Sequence, residues 1–230
     1  MSNDELSRRE TLSGGAALLA GVGAALAVSA VTRDAEAQSA ADVMVLNALL
    51  RAEYEAQQAY DSAIGYFGSP AMDDPARSLG AAAGLVATHY RSQHLDHGMR
   101  LARLITSLQG TPISQSSVIF TPPTAMGFTR TVQNYLRLAC NAEKAAAIAY
   151  TNALKSLTNV TAAELAAAIG GVETQHFIVI YLLLKNVATP GMAAATMASE
   201  LSPRSFVAIT GETTDLSSVP DFAFVALPMA

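Results

Sequence analysis

Apolar residues recur every three or four positions along four long stretches of this chain, which is the spacing of helices with one buried face. The pattern predicts helices over residues 42–67, 74–108, 128–157 and 161–187. Segments containing Gly and Pro follow three of them, at 68–70, 110–112 and 189–191, and these residues commonly end helices. No strand pattern competes before the C-terminal tail, so the predicted fold class is all-α.

Capping signals and connection lengths suggest how the helices are arranged. Ser39 with Asp42, and Thr161 with Glu164, have the spacing of capping boxes, and Asp74-Pro75 has the pattern of an N-cap followed by proline. Helices 1 and 2, and helices 3 and 4, are joined by short connections, whereas roughly 18 residues ending at Gly127 join helices 2 and 3. Two hairpins joined by one long crossover predict an antiparallel four-helix bundle.

The crossover is long enough to run along the whole bundle. Its 18 or so residues can span about 59 Å when extended, and a helix of about 28 residues is about 42 Å long. We therefore expect it to cover the length of the bundle, with helix 3 antiparallel to helix 2. Residues 191–230, which include Pro203, Pro220 and Pro228, predict an irregular tail packed on the bundle, with one short helix near 192–201.

The N-terminus has the features of an export signal. Ser7-Arg8-Arg9-Glu10-Thr11-Leu12 resembles the twin-arginine motif, an uncharged stretch rich in Ala and Gly follows, and Ala35-Glu36-Ala37 is an A-x-A cleavage site. We predict a signal peptide over 1–37, a bundle over 38–190 and a tail over 191–230. The expected location is the periplasm, without stable membrane insertion once the signal is cleaved; an uncleaved membrane anchor is the alternative.

Composition excludes several classes of protein. The 230 residues are 51% hydrophobic and only 14% charged, which argues against a disordered chain. The net charge of -5 and the lack of a basic run make nucleic acid an unsuitable partner. Cys140 is the one cysteine, which excludes an internal disulfide, a cysteine-based zinc finger and a thiolate iron–sulfur cluster.

Two glutamates interrupt the apolar faces of helices 1 and 3. Glu53 lies between Leu49/Leu50 and Tyr60, and Glu143 lies between Ala139 and Ala146. The surrounding sequences repeat, because the pattern Ala-Glu-x-x-Ala-x-x-Ala-Tyr occurs over both 52–60 and 142–150. The repeat suggests a duplicated hairpin. Tyr60 and Tyr150 are either core residues or hydrogen-bond partners of metal ligands.

The other two helices carry the histidines. His94 and His97 on helix 2, and Glu173 and His176 on helix 4, are three residues apart and so share a helix face. Because all these positions are near mid-helix, we predict one buried cluster, consisting of Glu53, His94, His97, Glu143, Glu173 and His176. Buried carboxylates are costly without compensation, and a divalent metal supplies it. The alternative is a core of polar residues that satisfy one another.

These residues resemble the ferritin-like superfamily of di-metal carboxylate bundles, which has Glu on helices 1 and 3 and Glu-x-x-His on helices 2 and 4. Glu53, Glu143, Glu173 with His176, and His97 fill the pattern, whereas His94 stands where the family has Glu. A second register would align Gln93-His94 with Gln175-His176 and place Arg91 opposite Glu173. We prefer the first register, because it gives every helix a ligand.

The resemblance implies a metal cofactor: iron, as a di-iron or mononuclear site, with manganese or zinc as alternatives. Glu53, His94 and His97 would hold one metal, Glu143 and His176 the other, and Glu173 would lie between them. With only three carboxylates, two Fe(II) ions would leave a net charge of +1, so the family's activity does not transfer automatically. The expected function is an exported oxidoreductase acting on Fe(II), oxygen or peroxide. The alternative is a non-catalytic stress or desiccation-type binding or structural protein; a homodimer is left open.

Overall fold

Four long helices make up most of the structure. The computed structural model describes residues 35–123, 127–188 and 221–224. The helices are α1 (Ala35–Phe67), α2 (Gly80–Ser107), α3 (Val132–Ala153) and α4 (Val160–Ala188). Short 3-10 turns lie at Arg77–Leu79 and Gln115–Ser117, and the described ranges contain no strand. The all-α prediction is therefore confirmed.

The predicted ends of the chain fall largely outside the described residues. Residues 1–34 of the predicted signal peptide are not described, and neither is the tail apart from 221–224, so the short helix expected near 192–201 also lies outside. Helix α1 already includes residues 35–37. The domain boundaries therefore stay predictions.

The direction of the helices follows from contacts near their ends. The Asp74 carboxylate, just before α2, accepts a hydrogen bond of 2.7 Å from the backbone N of Val132, the first residue of α3. Helices α2 and α3 therefore start at the same end and run parallel, so the prediction that they are antiparallel was wrong. A crossover that runs the full length of the bundle returns the chain to the end where helix 2 began, which makes this direction unavoidable. Helix α1 runs antiparallel to both α2 and α3.

Helices α1 and α2 do not begin where the sequence predicted. Helix α1 begins at Ala35, so Asp42 is inside the helix and accepts hydrogen bonds from the backbone N of Thr158 and of Asn159, at 2.9 and 2.7 Å. Helix α2 begins at Gly80, after the 3-10 turn Arg77–Leu79, and Asp74 accepts both from the backbone N of Ala76 in its own turn and from that of Val132. Asp42 and Asp74 thus form hydrogen bonds between segments that are far apart in the sequence.

The other two starts show local caps. Thr131 accepts a hydrogen bond from the backbone N of Asn134, and α3 begins at Val132, four residues later than predicted. Asn159 accepts from the backbone N of Ala162, so it replaces Thr161 as the cap of α4. Loss of such a cap typically costs about 1 kcal/mol.

Side-chain amides hold the crossover against α1. Asn47 donates to the carbonyl of Thr111 and accepts from the backbone N of Ile113, at 3.0 and 2.8 Å. Three turns further along α1, Gln58 makes the same pair of bonds with Val118 and Phe120, each at 2.8 Å. The amide pairs satisfy backbone groups of a segment without regular structure, and they fix its course along the bundle.

Two apolar clusters fill the bundle, one toward each end. One contains Tyr60, Phe67, Leu136, Phe177 and Ile180, and the other contains Leu46, Leu50, Leu101, Ile105 and Ile169. Truncation of a buried leucine such as Leu46 to alanine typically costs about 2–5 kcal/mol. The interior between the two clusters is where the polar side chains lie.

Helix α4 is the most apolar of the four. Its segment Val160–Lys185 is long and apolar enough to cross a membrane, by length and composition alone. It contains the buried Glu173 and His176 and packs along α3, as expected for a core helix of a bundle.

The described part of the C-terminal tail contacts α3. Asn141 donates to the carbonyl of Phe222 and accepts from its backbone N, at 2.9 and 2.8 Å. Lys144 forms an ion pair with Asp221. Residues 221–224 therefore pack on the bundle by the same amide pairing that holds the crossover.

Candidate metal centre

All six predicted ligands lie together in the middle of the bundle. Each side chain belongs to the helix expected, and none is more than 6% exposed: Glu53 on α1, His94 and His97 on α2, Glu143 on α3, Glu173 and His176 on α4. The structure thus brings together every residue of the predicted cluster. Whether they bind a metal stays a prediction.

His94 lies between two glutamates. Its Nδ1 is 2.7 Å from Glu53 Oε2, and its Nε2 is 3.2 Å from Glu143 Oε1. Both nitrogens donate to carboxylates only when the ring is protonated. Without metal, His94 can therefore serve as a cation that links α1 to α3.

Glu173 occupies the centre of the cluster. Its Oε1 lies 3.1 Å from His97 Nδ1, and its Oε2 lies 3.8 Å from Nδ1 of His176. His176 Nδ1 is also 3.2 Å from Glu143 Oε2. Glu173 is thus shared between the half of the cluster that contains His97 and the half that contains His176.

The six residues form two overlapping groups of ligand atoms. Glu53 and His97 belong to one group, Glu143 and His176 belong to the other, and both groups include His94 and Glu173. Within each group the ligand atoms all lie within 4.8 Å of one another. This correspondence pairs His94 with Glu173, as the preferred register requires.

The second register does not match the structure. Arg91, which it places opposite Glu173, instead bonds Asp61 through Nε at 2.9 Å on the surface. Gln175, which it aligns with Gln93, is exposed.

The two repeated tyrosines are hydrogen-bonded across the bundle. The Tyr60 hydroxyl of α1 donates to Glu143 of α3, and the Tyr150 hydroxyl of α3 donates to Glu53 of α1. Both tyrosines are buried, and burial together with the adjacent carboxylate raises the pKa of each well above its usual value. Of the two roles considered for them, the structure favours hydrogen bonding to the cluster.

Two glutamines of the site were missed by sequence reasoning. Gln93 Oε1 lies 2.8 Å from His176 Nε2, and Gln57 donates to the backbone carbonyl of His94 at 3.2 Å. Gln93 is four residues before His97, so helical spacing could have placed it on the same face. Gln57 is likewise four residues after Glu53, so the same spacing could have placed it on the ligand face of α1.

Burial and charge pairing give the acids different pKa values. Burial acts to raise the pKa of Glu53, but His94 and His97 outweigh it and hold that pKa at about 2. For Glu173, burial wins over the attraction of His94, and the neighbouring glutamates help to raise its pKa to about 7. Burial acts to lower the pKa of His97, yet Glu173 and Glu53 raise it to about 9.

Buried polar atoms around Glu173 that lack hydrogen-bond partners indicate whether the cluster suits a metal. Within the part of the chain that the structure describes, both Glu173 oxygens and His97 Nδ1 are buried without a partner of hydrogen-bond geometry, although His97 and Glu173 are close. An unsatisfied buried carboxylate oxygen typically costs more than about 1–3 kcal/mol. A cation between the two groups would satisfy all three atoms, and carboxylates with imidazoles suit iron, manganese or zinc. The donor set therefore fits a metal.

Comparison with known protein families agrees with the fold. The family model described as "Ferritin-like domain" matches residues 41–186, which is well over half of the chain. The protein therefore belongs to the ferritin-like domain family. No curated protein matches the chain.

Proposed function

We propose that this protein is an exported metal-binding bundle that holds iron between its four helices and acts as an oxidoreductase on Fe(II), oxygen or peroxide. The observation that carries the proposal is the central Glu173, fully buried, with two oxygens that the described residues leave unsatisfied. Manganese is the second choice of metal, because it accepts the same ligands.

The proposal assigns each buried polar residue a role as a ligand or as a hydrogen-bond partner of a ligand. Glu53 and His97 would hold one ion, and Glu143 and His176 would hold a second. Glu173 would lie between the two groups, and His94 would join either group, depending on which ion is bound. Iron bound there supplies one-electron exchange with oxygen or peroxide. Tyr60 and Tyr150 donate hydrogen bonds to Glu143 and Glu53 and so orient these ligands. Gln93 fixes the ring of His176.

Export through the twin-arginine pathway is part of the proposal. It is supported by the sequence over residues 7–12 and by Ala35-Glu36-Ala37. Cleavage after Ala37 would remove the first three residues of α1, which spans Ala35–Phe67. N-terminal sequencing of the periplasmic fraction tests this directly: a chain that begins at Gln38 supports it, and an intact N-terminus in the membrane fraction contradicts it.

The alternative, a non-catalytic binding protein, is favoured by His94. With both nitrogens against glutamates, this residue neutralises part of the acidic cluster without any ion. A protein of this kind would keep the fold and bind a single metal, or none, without turning over oxygen.

Metal analysis of the exported, purified protein separates these functions. We expect iron or manganese at one or two ions per chain, and faster Fe(II) oxidation under air or peroxide than in buffer. Glu53→Gln should reduce both, whereas Glu55→Gln, a half-buried neighbour on the same helix, should change neither. Bound metal without oxidation supports the alternative, and a metal-free protein that takes up none of these ions contradicts the proposed function and leaves only the alternative without metal.

A further inference from the structure

The two halves of the cluster contain matching ligands, but the residues that surround these ligands differ. In one half, the His176 ring has a partner at each nitrogen. Its Nδ1 faces Glu143 Oε2 at 3.2 Å, and its Nε2 lies 2.8 Å from Oε1 of Gln93 on α2. An amide oxygen can only accept a hydrogen bond, so Nε2 carries a proton and Nδ1 is the nitrogen available to a metal. Gln93 therefore sets the ligating nitrogen of His176.

A stacked aromatic ring also holds His176. Tyr90, which is buried one turn before His94 on α2, lies nearly parallel to the imidazole. The two ring centroids are 3.8 Å apart, and the angle between the rings is 22°. Because rotation of the imidazole would break this contact, His176 is held in its ligating orientation before any ion binds.

The position on α4 that is equivalent to Gln93 carries an apolar residue. Gln93 directly precedes His94 in the motif of α2, and Val172 directly precedes Glu173 in the motif of α4. The side chain of Val172 has no hydrogen-bond acceptor. The internal repeat therefore gives His97 no counterpart of the amide that orients His176.

The position equivalent to Tyr90 has changed as well. Tyr90 is four residues before the motif of α2, and Ile169 is four residues before the motif of α4. Isoleucine has no flat face to stack on an imidazole. The His97 side chain is also the more accessible of the two, at 8% exposed against 2% for His176. The half that contains His97 is thus less preorganised for an ion.

The contacts of His94 favour the same half. Its Nδ1 is 2.7 Å from Glu53 Oε2, whereas its Nε2 is 3.2 Å from Glu143 Oε1. A shorter contact between imidazole and carboxylate is the stronger one. An ion therefore meets less competition from His94 at Glu143 than at Glu53.

We propose that the two halves of the metal centre fill in a fixed order. Glu143, Glu173 and His176 bind the first ion, and the half that contains Glu53 and His97 binds a second, weaker ion. Gln93 and Tyr90 are the positioning residues that set this order. The inference rests on the proposed function, because it requires the cluster to bind metal, but it does not depend on any oxidation reaction.

Calorimetric titration of the exported, purified protein with Mn²⁺ tests the order directly. We expect two binding steps, with the first at least tenfold tighter than the second. His97→Gln should keep the tight step and lose the weak one. His176→Gln should lose the tight step, because it removes a ligand of the first ion.

Variants of Gln93 test how the order is set, since they leave every ligand in place. Gln93→Leu should weaken the first step by about 10–100-fold, the usual cost of losing a partner that orients a metal-binding histidine, and leave the second unchanged. Gln93→Glu should restore the tight step, because a carboxylate accepts the same hydrogen bond. Gln175→Leu, the same change at an exposed position beside His176, should match wild type.

Proton NMR of the metal-free protein separates this inference from the proposed function. Wild type and Gln93→Glu should show a slowly exchanging imidazole N–H that His176→Gln and Gln93→Leu lack. Circular dichroism checks the fold of each variant, and Gln93→Met replaces Gln93→Leu if that variant does not fold.

Three results would overturn the inference while metal binding stands. They are a tight step that survives in His176→Gln, equal weakening of both steps in Gln93→Leu, and a wild-type spectrum without the slowly exchanging N–H. A protein that binds no Mn²⁺ and no iron, but shows the N–H signal, would overturn the proposed function and the filling order together.

Discussion

The two halves of the metal centre use the same parts, with one exception. Glu53 and His97 in one half correspond to Glu143 and His176 in the other, and the tyrosines correspond as well. The exception is the pair shared by both halves, where α2 supplies His94 and α4 supplies Glu173. His94 has both nitrogens against carboxylates, while Glu173 has neither oxygen satisfied among the described residues. The imidazole therefore compensates charge internally, and the carboxylate creates the demand for a cation.

The most direct test of this difference is to remove the negative charge of the central glutamate. Glu173→Gln keeps the shape of the side chain and deletes the charge shared by both halves. We expect metal affinity to fall at least 100-fold. At pH 8 the metal-free variant should unfold at a higher temperature than wild type, because the pKa of Glu173 is raised to about 7 and its ionisation therefore destabilises the metal-free fold. Calorimetric titration with Mn²⁺ and thermal denaturation measure the two effects.

The exposed Glu164 on the same helix provides the control. Glu164→Gln should match wild type in both measurements. If Glu173→Gln bound metal as tightly as this control, the central role of Glu173 would be wrong.

The opposite change would make the two shared residues, one from α2 and one from α4, alike. His94→Glu adds a second shared carboxylate, which can bridge two metals where a neutral imidazole binds one. We expect the number of ions per chain to rise to two, and the metal-free protein to lose stability because four buried carboxylates repel one another. Metal analysis after dialysis measures the stoichiometry; a value of one ion per chain in the variant would count against the di-metal interpretation.

The pH dependence of stability separates the metal-free from the loaded form. Glu173, with its pKa raised to about 7, destabilises the metal-free fold progressively above its ordinary value of 4.5. His97, with its pKa raised to about 9, stabilises the fold fully below 6.5 and loses that effect as the pH rises through 9. We therefore expect the free energy of unfolding without metal to fall from pH 5 to pH 9, by a few kcal/mol.

Bound metal should oppose this trend, because its ligands must be deprotonated. Denaturant titrations at pH 5, 7 and 9, with and without Mn²⁺, measure the slope. His97→Gln should flatten the metal-free slope above pH 6.5, while the same change at the exposed His89 should not. A metal-free protein that is most stable at pH 9 would contradict the assignment. Below pH 4.5 the sign reverses, since the lowered pKa of Glu53 makes its stabilisation disappear toward pH 2.

The smallest expected effect concerns the tyrosines. Tyr60→Phe and Tyr150→Phe each remove one buried hydrogen bond to a carboxylate, which is typically worth about 1.5–3 kcal/mol. If the two halves are equivalent, the losses in free energy of unfolding should agree to within about 1 kcal/mol. The double variant should depart from their sum, because His94 links the two glutamates in one hydrogen-bond network. Clearly unequal losses would mean that Glu53 and Glu143 are not equivalent.

Sequence periodicity predicted the helices and the cluster because both depend on local spacing. Glu53 and Glu143 interrupt apolar stripes, and residues three apart share a helix face whatever the tertiary structure. The helix starts were harder, because Asp42 and Asp74 have typical capping patterns but bind the starts of other elements. Periodicity along one helix carries no information about such contacts.

A small apolar cavity between α1 and α3, which reaches Glu53 and Glu143, was also beyond the sequence. An alanine facing another helix looks the same whether the helices touch or leave a gap, so the space over Glu53 and Glu143 emerges only from the packing. Gln57 shares the helix face of Glu53, but its bond to a backbone atom of α2 has no side-chain pattern to signal it.

The reciprocal tyrosines have a consequence for the origin of the fold. Each hairpin contains a glutamate whose hydroxyl partner belongs to the other hairpin. A single ancestral hairpin could therefore complete its own polar core only by associating with a second copy of itself. Gene fusion of two such copies would allow the second and fourth helices to diverge. The histidine at position 94, where α4 has Glu173, would then mark the first hairpin as the copy that changed at this position.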